Sequence, residues 1–192
     1  GLKAGVDRAA AMSMLIMPKG TLFICDTFVN AGPTAEQIAR YTVLAAEAIR
    51  HFGIQPRAAL LSHSNFGSSL ASTARKMREA VEMIREMDPD LLVDGEMHAD
   101  AALSEAMREP LIGDGVLKGS ANLLIMPSLD AANISYNMVR MLADGVDVGP
   151  ILLGMDLPCH VLHETINARG IVDMTALAVV EAQGTVKQEL LL

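Results

Sequence analysis

Cysteine is scarce: Cys25 and Cys159 stand far apart, with no Cys-x-x-Cys pair. That excludes a disulfide scaffold and a thiolate zinc ribbon, and it suits a reducing compartment, the cytoplasm. Tryptophan is absent and aromatic residues make up only 3% of the chain, too few for a surface that stacks bases. Basic residues are outnumbered, 15 against 23 acidic, for a formal net charge of −8. Such a chain is not drawn to nucleic-acid phosphates. No apolar run reaches the ~20 residues of a membrane-spanning helix. The richest runs are Ala121–Met126, Ile151–Met155 and Met174–Val180. The N-terminus lacks the basic region and long apolar core of a signal peptide. Also missing are a G-x-x-x-x-G-K-[ST] phosphate loop and a G-x-S-x-G nucleophile elbow. Gly113, Gly115 and Gly119 imitate a dinucleotide fingerprint, but the third glycine is one residue late and no clear strand precedes them.

What is present is hydrophobic: 51% of the 192 residues. That excludes a disordered chain and supports one good-sized domain or two small lobes, burying roughly 70% of the unfolded surface. The 13 methionines are spread through helices and strands as core filler. The chain begins at Gly1, which suggests a piece of a longer protein or a scar left by a tag.

Short apolar runs alternate with helical periodicity. Ser13–Met17 and Thr21–Cys25 read as strands around a tight turn at Pro18-Lys19-Gly20. Thr34 and Gln37 form a capping box for a helix with Ile38, Tyr41, Leu44, Ala45, Ala48 and Phe52 on one face, ended by Gly53. Ala58–Ser62, Leu91–Val93, Asn122–Met126 and Val148–Leu153 read as strands, and Cys159–Leu162 as a short one. Residues 69–87, His98–Met107, Asp130–Leu142 and 171–183 read as helices, with a connector over Pro110–Ser120. Strands apolar on both faces that alternate with helices predict an α/β fold: a three-layer α/β/α sandwich with a mostly parallel sheet. Ligands then bind at the carboxyl ends of the strands. That rule points to Ser62–Gly67, Asp94–His98, Pro127–Asn133 and Gly154–Arg169.

Three clusters in these segments carry chemistry. Asp94, Glu96 and His98 could ligate a divalent metal or act as acid and base, or they could form a strand-end loop whose Asp caps the next helix. The Ser62–Ser69 loop, rich in small hydroxyls, suits an anion at a helix N-terminus as well as ordinary capping. Cys159, His160 and His163 could converge on a metal.

The segments Leu61–Ser68, Asp94–Ala102, Ala121–Ile134 and Gly149–Gly154, taken together, resemble the phosphate acetyltransferase (phosphotransacetylase) family. The likeness runs from near Gly5 to about Gln183. It implies a two-lobed subunit, usually dimeric, that binds coenzyme A in a cleft. The chain would be one domain over 1–192: the second lobe over about 5–155, plus a segment, 156–192, that packs on a missing first lobe.

Active members of the family carry a loop of the form Lys-Pro-Val-Asn-Asp-Leu-Ser-Arg-Gly, with an Asp six residues after the Arg. Here the Ser position holds His163, the Arg position Glu164 and the Asp position Gly170. Transfer between acetyl phosphate and a thiol needs a base and a cation on the phosphate. Glycine is no base, and Glu164 reverses the charge. At ~4 Å and an effective dielectric near 20, that changes an attraction of about 4 kcal/mol into a repulsion of similar size. His163 could replace the base, and Arg169 could restore part of the cation. A phosphotransacetylase-like domain with a degraded loop resembles the C-terminal part of bacterial hybrid NADP-dependent malic enzymes, as do residues 62–67 and 169–180. That likeness implies a regulatory, acetyl-CoA-sensing and dimerising domain with no catalytic residues of its own. Ser64, Asn65, Asn133, His163 and Arg169 would touch the acyl-CoA, while NADP and a divalent metal would be held by the rest of the parent enzyme. An active phosphate acetyltransferase is the alternative.

Overall fold

Alternation along the strands decides the layers. The structure, a computed structural model, describes residues 1–113, 115–162, 164 and 166–189, with side chains as far as 183. Strands β1 (Ala10–Met17) and β2 (Gly20–Cys25) form an antiparallel hairpin. Helix α1 (Ala35–His51) follows, then β3 (Arg57–Leu61), α2 (Ser72–Met87) and β4 (Leu92–Met97). Short helices α3 (Ala99–Leu103) and α4 (Glu105–Ile112) lead to β5 (Leu123–Ile125), α5 (Leu129–Leu142), β6 (Val146–Leu153) and α6 (Ala168–Glu189).

The six strands lie in one sheet, ordered β4-β3-β5-β2-β1-β6. β4, β3, β5 and β2 run parallel, whereas β1 is antiparallel to both β2 and β6. Successive side chains point to opposite faces. Phe23, Leu60, Leu123 and Ile125 therefore enter one cluster with Ile38, Ala45 and Ile49 of α1, Met77 and Ile84 of α2, and Met174 and Leu177 of α6. Leu22, Ile24, Ala59, Leu61 and Leu124 enter the other, with Ala101 and Ala102 of α3 and Ala132 and Tyr136 of α5. Each fully buried Leu, Ile or Phe is worth about 1.5–3 kcal/mol relative to exposure. This is the expected three-layer, mostly parallel α/β arrangement.

The capping box at Thr34 forms as read: the Gln37 N–H donates to Thr34 Oγ1 at 3.2 Å, and the Thr34 N–H to Gln37 Oε1 at 3.0 Å. Other elements differ from expectation. The strand expected over Leu91–Val93 continues to Met97, so Asp94 and Glu96 are strand residues and not part of a loop. Gly95 sits within it at φ +146°, where a Cβ would come within 2.8 Å of the Leu60 carbonyl oxygen. The helix expected over His98–Met107 breaks at Ser104, and α4 then continues through Pro110 into the expected connector. No strand forms over Cys159–Leu162. The last helix begins at Ala168, three residues before the expected Ile171.

Candidate functional site

Two polar centres form at the carboxyl ends of the parallel strands. At the first, Glu96 is fully buried at the end of β4. Its Oε1 accepts the Ser64 hydroxyl at 2.6 Å, the Gly67 N–H at 3.0 Å and Arg78 Nη1 of α2 at 2.7 Å. Burial pushes this carboxyl up, but Ser64, Gly67, its own backbone N–H and Arg78 outweigh that and hold it below the usual carboxylate range. Ser64 in turn accepts the Ser69 N–H at 3.0 Å, and Asn65 Oδ1 accepts the His98 N–H at 2.8 Å. The Ser64 hydroxyl is thus committed to Glu96, and the loop is tied to the strand beside it.

Asp94, two residues earlier, is also buried. It pairs with Arg85 Nη2 at 3.0 Å and accepts the Leu117 N–H at 2.7 Å. It does not cap α3: His98 occupies that position without a side-chain bond. His98 is exposed, while both carboxylates are occupied by arginines of α2. Among the described residues, no group of three His, Cys, Asp or Glu side chains could hold a metal ion. His160 is likewise committed. Its Nδ1 accepts the Leu152 N–H at 3.2 Å, so Nε2 carries the proton facing Glu181 Oε2 at 2.9 Å. Cys159 is exposed beside it.

The second centre is a cavity of about 430 Å³ between α5 and the start of α6, closed on one side by β6. Asn133, Tyr136 and Arg140 of α5 line it, with Asp147 and Gly149 of β6, Asn167, Arg169, Gly170 and Asp173 near the start of α6, and Phe28. Phe28 stands edge-on to Tyr136, with ring centroids 6.4 Å apart. Buried Asp26 builds the loop that carries Phe28: its Oδ1 accepts the N–H groups of Ala11, Phe28 and Val29, and its Oδ2 that of Asn30.

The cavity's charges cancel internally. Arg169 Nε lies 3.0 Å from Asp173 Oδ1, and Arg140 Nη1 lies 3.6 Å from Asp147 Oδ2. The Arg140 guanidinium also covers the Tyr136 ring at 5.9 Å, and the Tyr136 hydroxyl donates to Asp147 at 3.4 Å. Burial raises the Tyr136 phenol; Arg140 opposes this and Asp147 adds to it. Gly170 packs against Ile166, whose Cγ1 would lie 2.7 Å from a Cβ placed there.

Of the candidate ligand contacts, Asn133 and Arg169 meet in this cavity, together with the altered position Gly170. Ser64 and Asn65 stand at the Glu96 centre and do not line it. Glu164 is exposed and outside its walls, and His163 lies outside the described residues. Sequence reasoning missed Phe28, Tyr136, Arg140, Asp147 and Asp173. The strand-end rule applied to β2 would have found the Asp26–Asn30 loop; the others carry no local signal.

Fold and site together define a class. Residues 1–179 match the family model described as phosphate acetyl/butaryl transferase, and the chain belongs to that family. It is 55% identical over 186 residues to the NADP-dependent malic enzyme of Salmonella typhimurium, covering 96% of this chain and 24% of that protein. It is 31% identical to the phosphate acetyltransferase of Bacillus subtilis, over 94% of this chain and 56% of that protein. A crystal structure of a phosphotransacetylase from Streptococcus pyogenes superposes with a TM-score of 0.88 at 31% identity, over 97% of this chain and 56% of that one. The chain therefore spans about a quarter of the malic enzyme it matches and about half of the transacetylases. The resemblance drawn from the motifs holds.

Proposed function

We propose that this chain is the regulatory, phosphotransacetylase-like part of an NADP-dependent malic enzyme, and that it binds an acyl-CoA, acetyl-CoA above all, without transferring the acyl group. The observation that carries the reading is the cavity between α5 and α6. Gly170 stands where the family's pattern has an Asp, and Arg169 is paired with Asp173. An acyl thioester can lie there, but no base from position 170 meets its thiol and no unpaired arginine from position 169 meets a phosphate. Asn133 and Arg169 contact the ligand, with Ser64, Asn65 and His163 completing the set from the adjoining loops.

Binding shifts the parent enzyme between states by differential affinity. The parent, a cytoplasmic homodimer or higher oligomer through this domain, oxidatively decarboxylates malate to pyruvate, with NADP and a divalent metal held outside this chain. The single-domain assignment, with 156–192 packing on a further lobe, belongs to the same reading.

Calorimetric titration of acetyl-CoA into a protein carrying both lobes tests it. Saturable binding, with Arg169→Ala weakening it, is expected; absence of heat at all concentrations overturns it. The 31% identity to a phosphate acetyltransferase favours a second reading, an active transferase between CoA and phosphate. Robust acetyl phosphate formation from acetyl-CoA and phosphate would establish that reading instead.

A further inference from the structure

Helix α5 buries Ala132 and Tyr136 against the sheet, yet its opposite face is also apolar. Ile134, Met138, Met141 and Leu142 recur at helical spacing and are exposed, Met141 by 76% and Leu142 by 84%. A solvated helix carries polar residues on that side. Across from it, Leu103 of α3 and Met107 and Leu111 of α4 are each about half exposed. Between the two lies a groove of about 770 Å³, with Leu22, Leu61 and Leu124 of the sheet in its floor and Met138 in its wall. Lys19 and Arg57 are its charged lining residues; no carboxylate lines it, in a chain of net charge −8.

The exposed parts of these seven side chains amount to an area on the order of 800 Å², against the ~800 Å² that each partner contributes to a standard interface. It exceeds the roughly 300–600 Å² patch of a typical monomer. Ridge and groove also share one helix, α5, so the surface offers both halves of a contact. That is the requirement for a two-fold, isologous interface, in which one patch meets its own copy. The other apolar exposure, Leu157, Val161, Leu162 and the α6 residues Ile171 and Val172, lies with the helix that packs on the opposite sheet face.

From this we infer that a second copy of this chain covers the α5 face, with the Ile134–Leu142 ridge of each copy seated against the groove of the other. The inference rests on the dimer in the proposed function and adds the surface that makes it. Sedimentation equilibrium over a hundredfold concentration range, combined with NMR of the methionine methyls and a soluble paramagnetic probe, tests it. Twice 20.4 kDa is expected, with the Met138 and Met141 methyls shielded and that of Met87, exposed on α2, open to the probe. The double variant Ile134→Glu/Leu142→Glu should sediment at 20.4 kDa with both methyls open and its circular dichroism unchanged, since both substitutions lie on the surface. A wild-type chain that stays monomeric throughout overturns the surface and the dimer together. A variant that remains dimeric overturns the surface and leaves the dimer standing. Shielded methyls in a monomeric longer protein would place a segment of that protein in the groove and overturn the second copy.

Discussion

Ile166 is packed over Gly170 so closely that a Cβ on the glycine would stand 2.7 Å from its Cγ1. Position 170 is therefore filled by a neighbour as well as stripped of a side chain. In the first turn of α6 an alanine should gain up to about 1 kcal/mol in helix propensity over glycine, whereas overpacking costs about 1–3 kcal/mol. Gly170→Ala and Gly170→Asp should each lower the thermal midpoint. Adding Ile166→Ala should give less than the sum of the two losses, because the cavity made by one change receives the other. A strictly additive double-mutant cycle would show that the two side chains do not compete for the space.

Glu96 sets a pH dependence. Its folded value lies below the ordinary 4.5, so the stability it adds is complete above 4.5 and is lost as the pH falls from there through the folded value. Glu96→Gln should flatten the urea midpoint of the protein across that acid range. At neutral pH it should cost about 1.5–3 kcal/mol, the scale of a hydrogen bond to a charged group. A variant with the acid limb of the wild type would remove Glu96 from its origin.

His160 joins the end of β6 to α6 through Leu152 and Glu181. Replacing it with alanine leaves a buried N–H unsatisfied, at a cost of about 1–3 kcal/mol. The loss should be local. Amide exchange should quicken across α6 and residues 155–162, while β3 and β5 keep their protection. Uniform loss of protection would show that this tie holds the whole sheet.

Arg169 and Asp173 form an exposed i,i+4 pair on α6, worth only about 0.3–0.5 kcal/mol. A bound anion can therefore draw Arg169 away, but Asp173 stays as a like charge beside it. Asp173→Asn should tighten acetyl-CoA binding several-fold and Arg169→Ala should weaken it, both read by calorimetry in the two-lobed protein. Unchanged affinity in both variants would place the ligand elsewhere.

Local signals explain which parts were legible in advance. Thr34 and Gln37 announce α1 because a capping box is complete within four residues. Ser128 caps α5 in the same local manner. β4 was cut short because Asp94 and Glu96 look like loop residues until Arg85 and Arg78, a helix away, neutralise them inside the fold. The cavity was half legible. Gly170 and Arg169 stood out against a motif, and Asn133 followed a strand end. Tyr136, Arg140 and Asp147 come together only when β6 pairs with β1 and brings its end beside α5.

The most direct measurement is malate-dependent NADP reduction by the intact malic enzyme that contains this chain, titrated with acetyl-CoA. The account predicts a saturable change in rate, with the half-effective concentration raised in Arg169→Ala. A rate indifferent to acetyl-CoA at every concentration would contradict it.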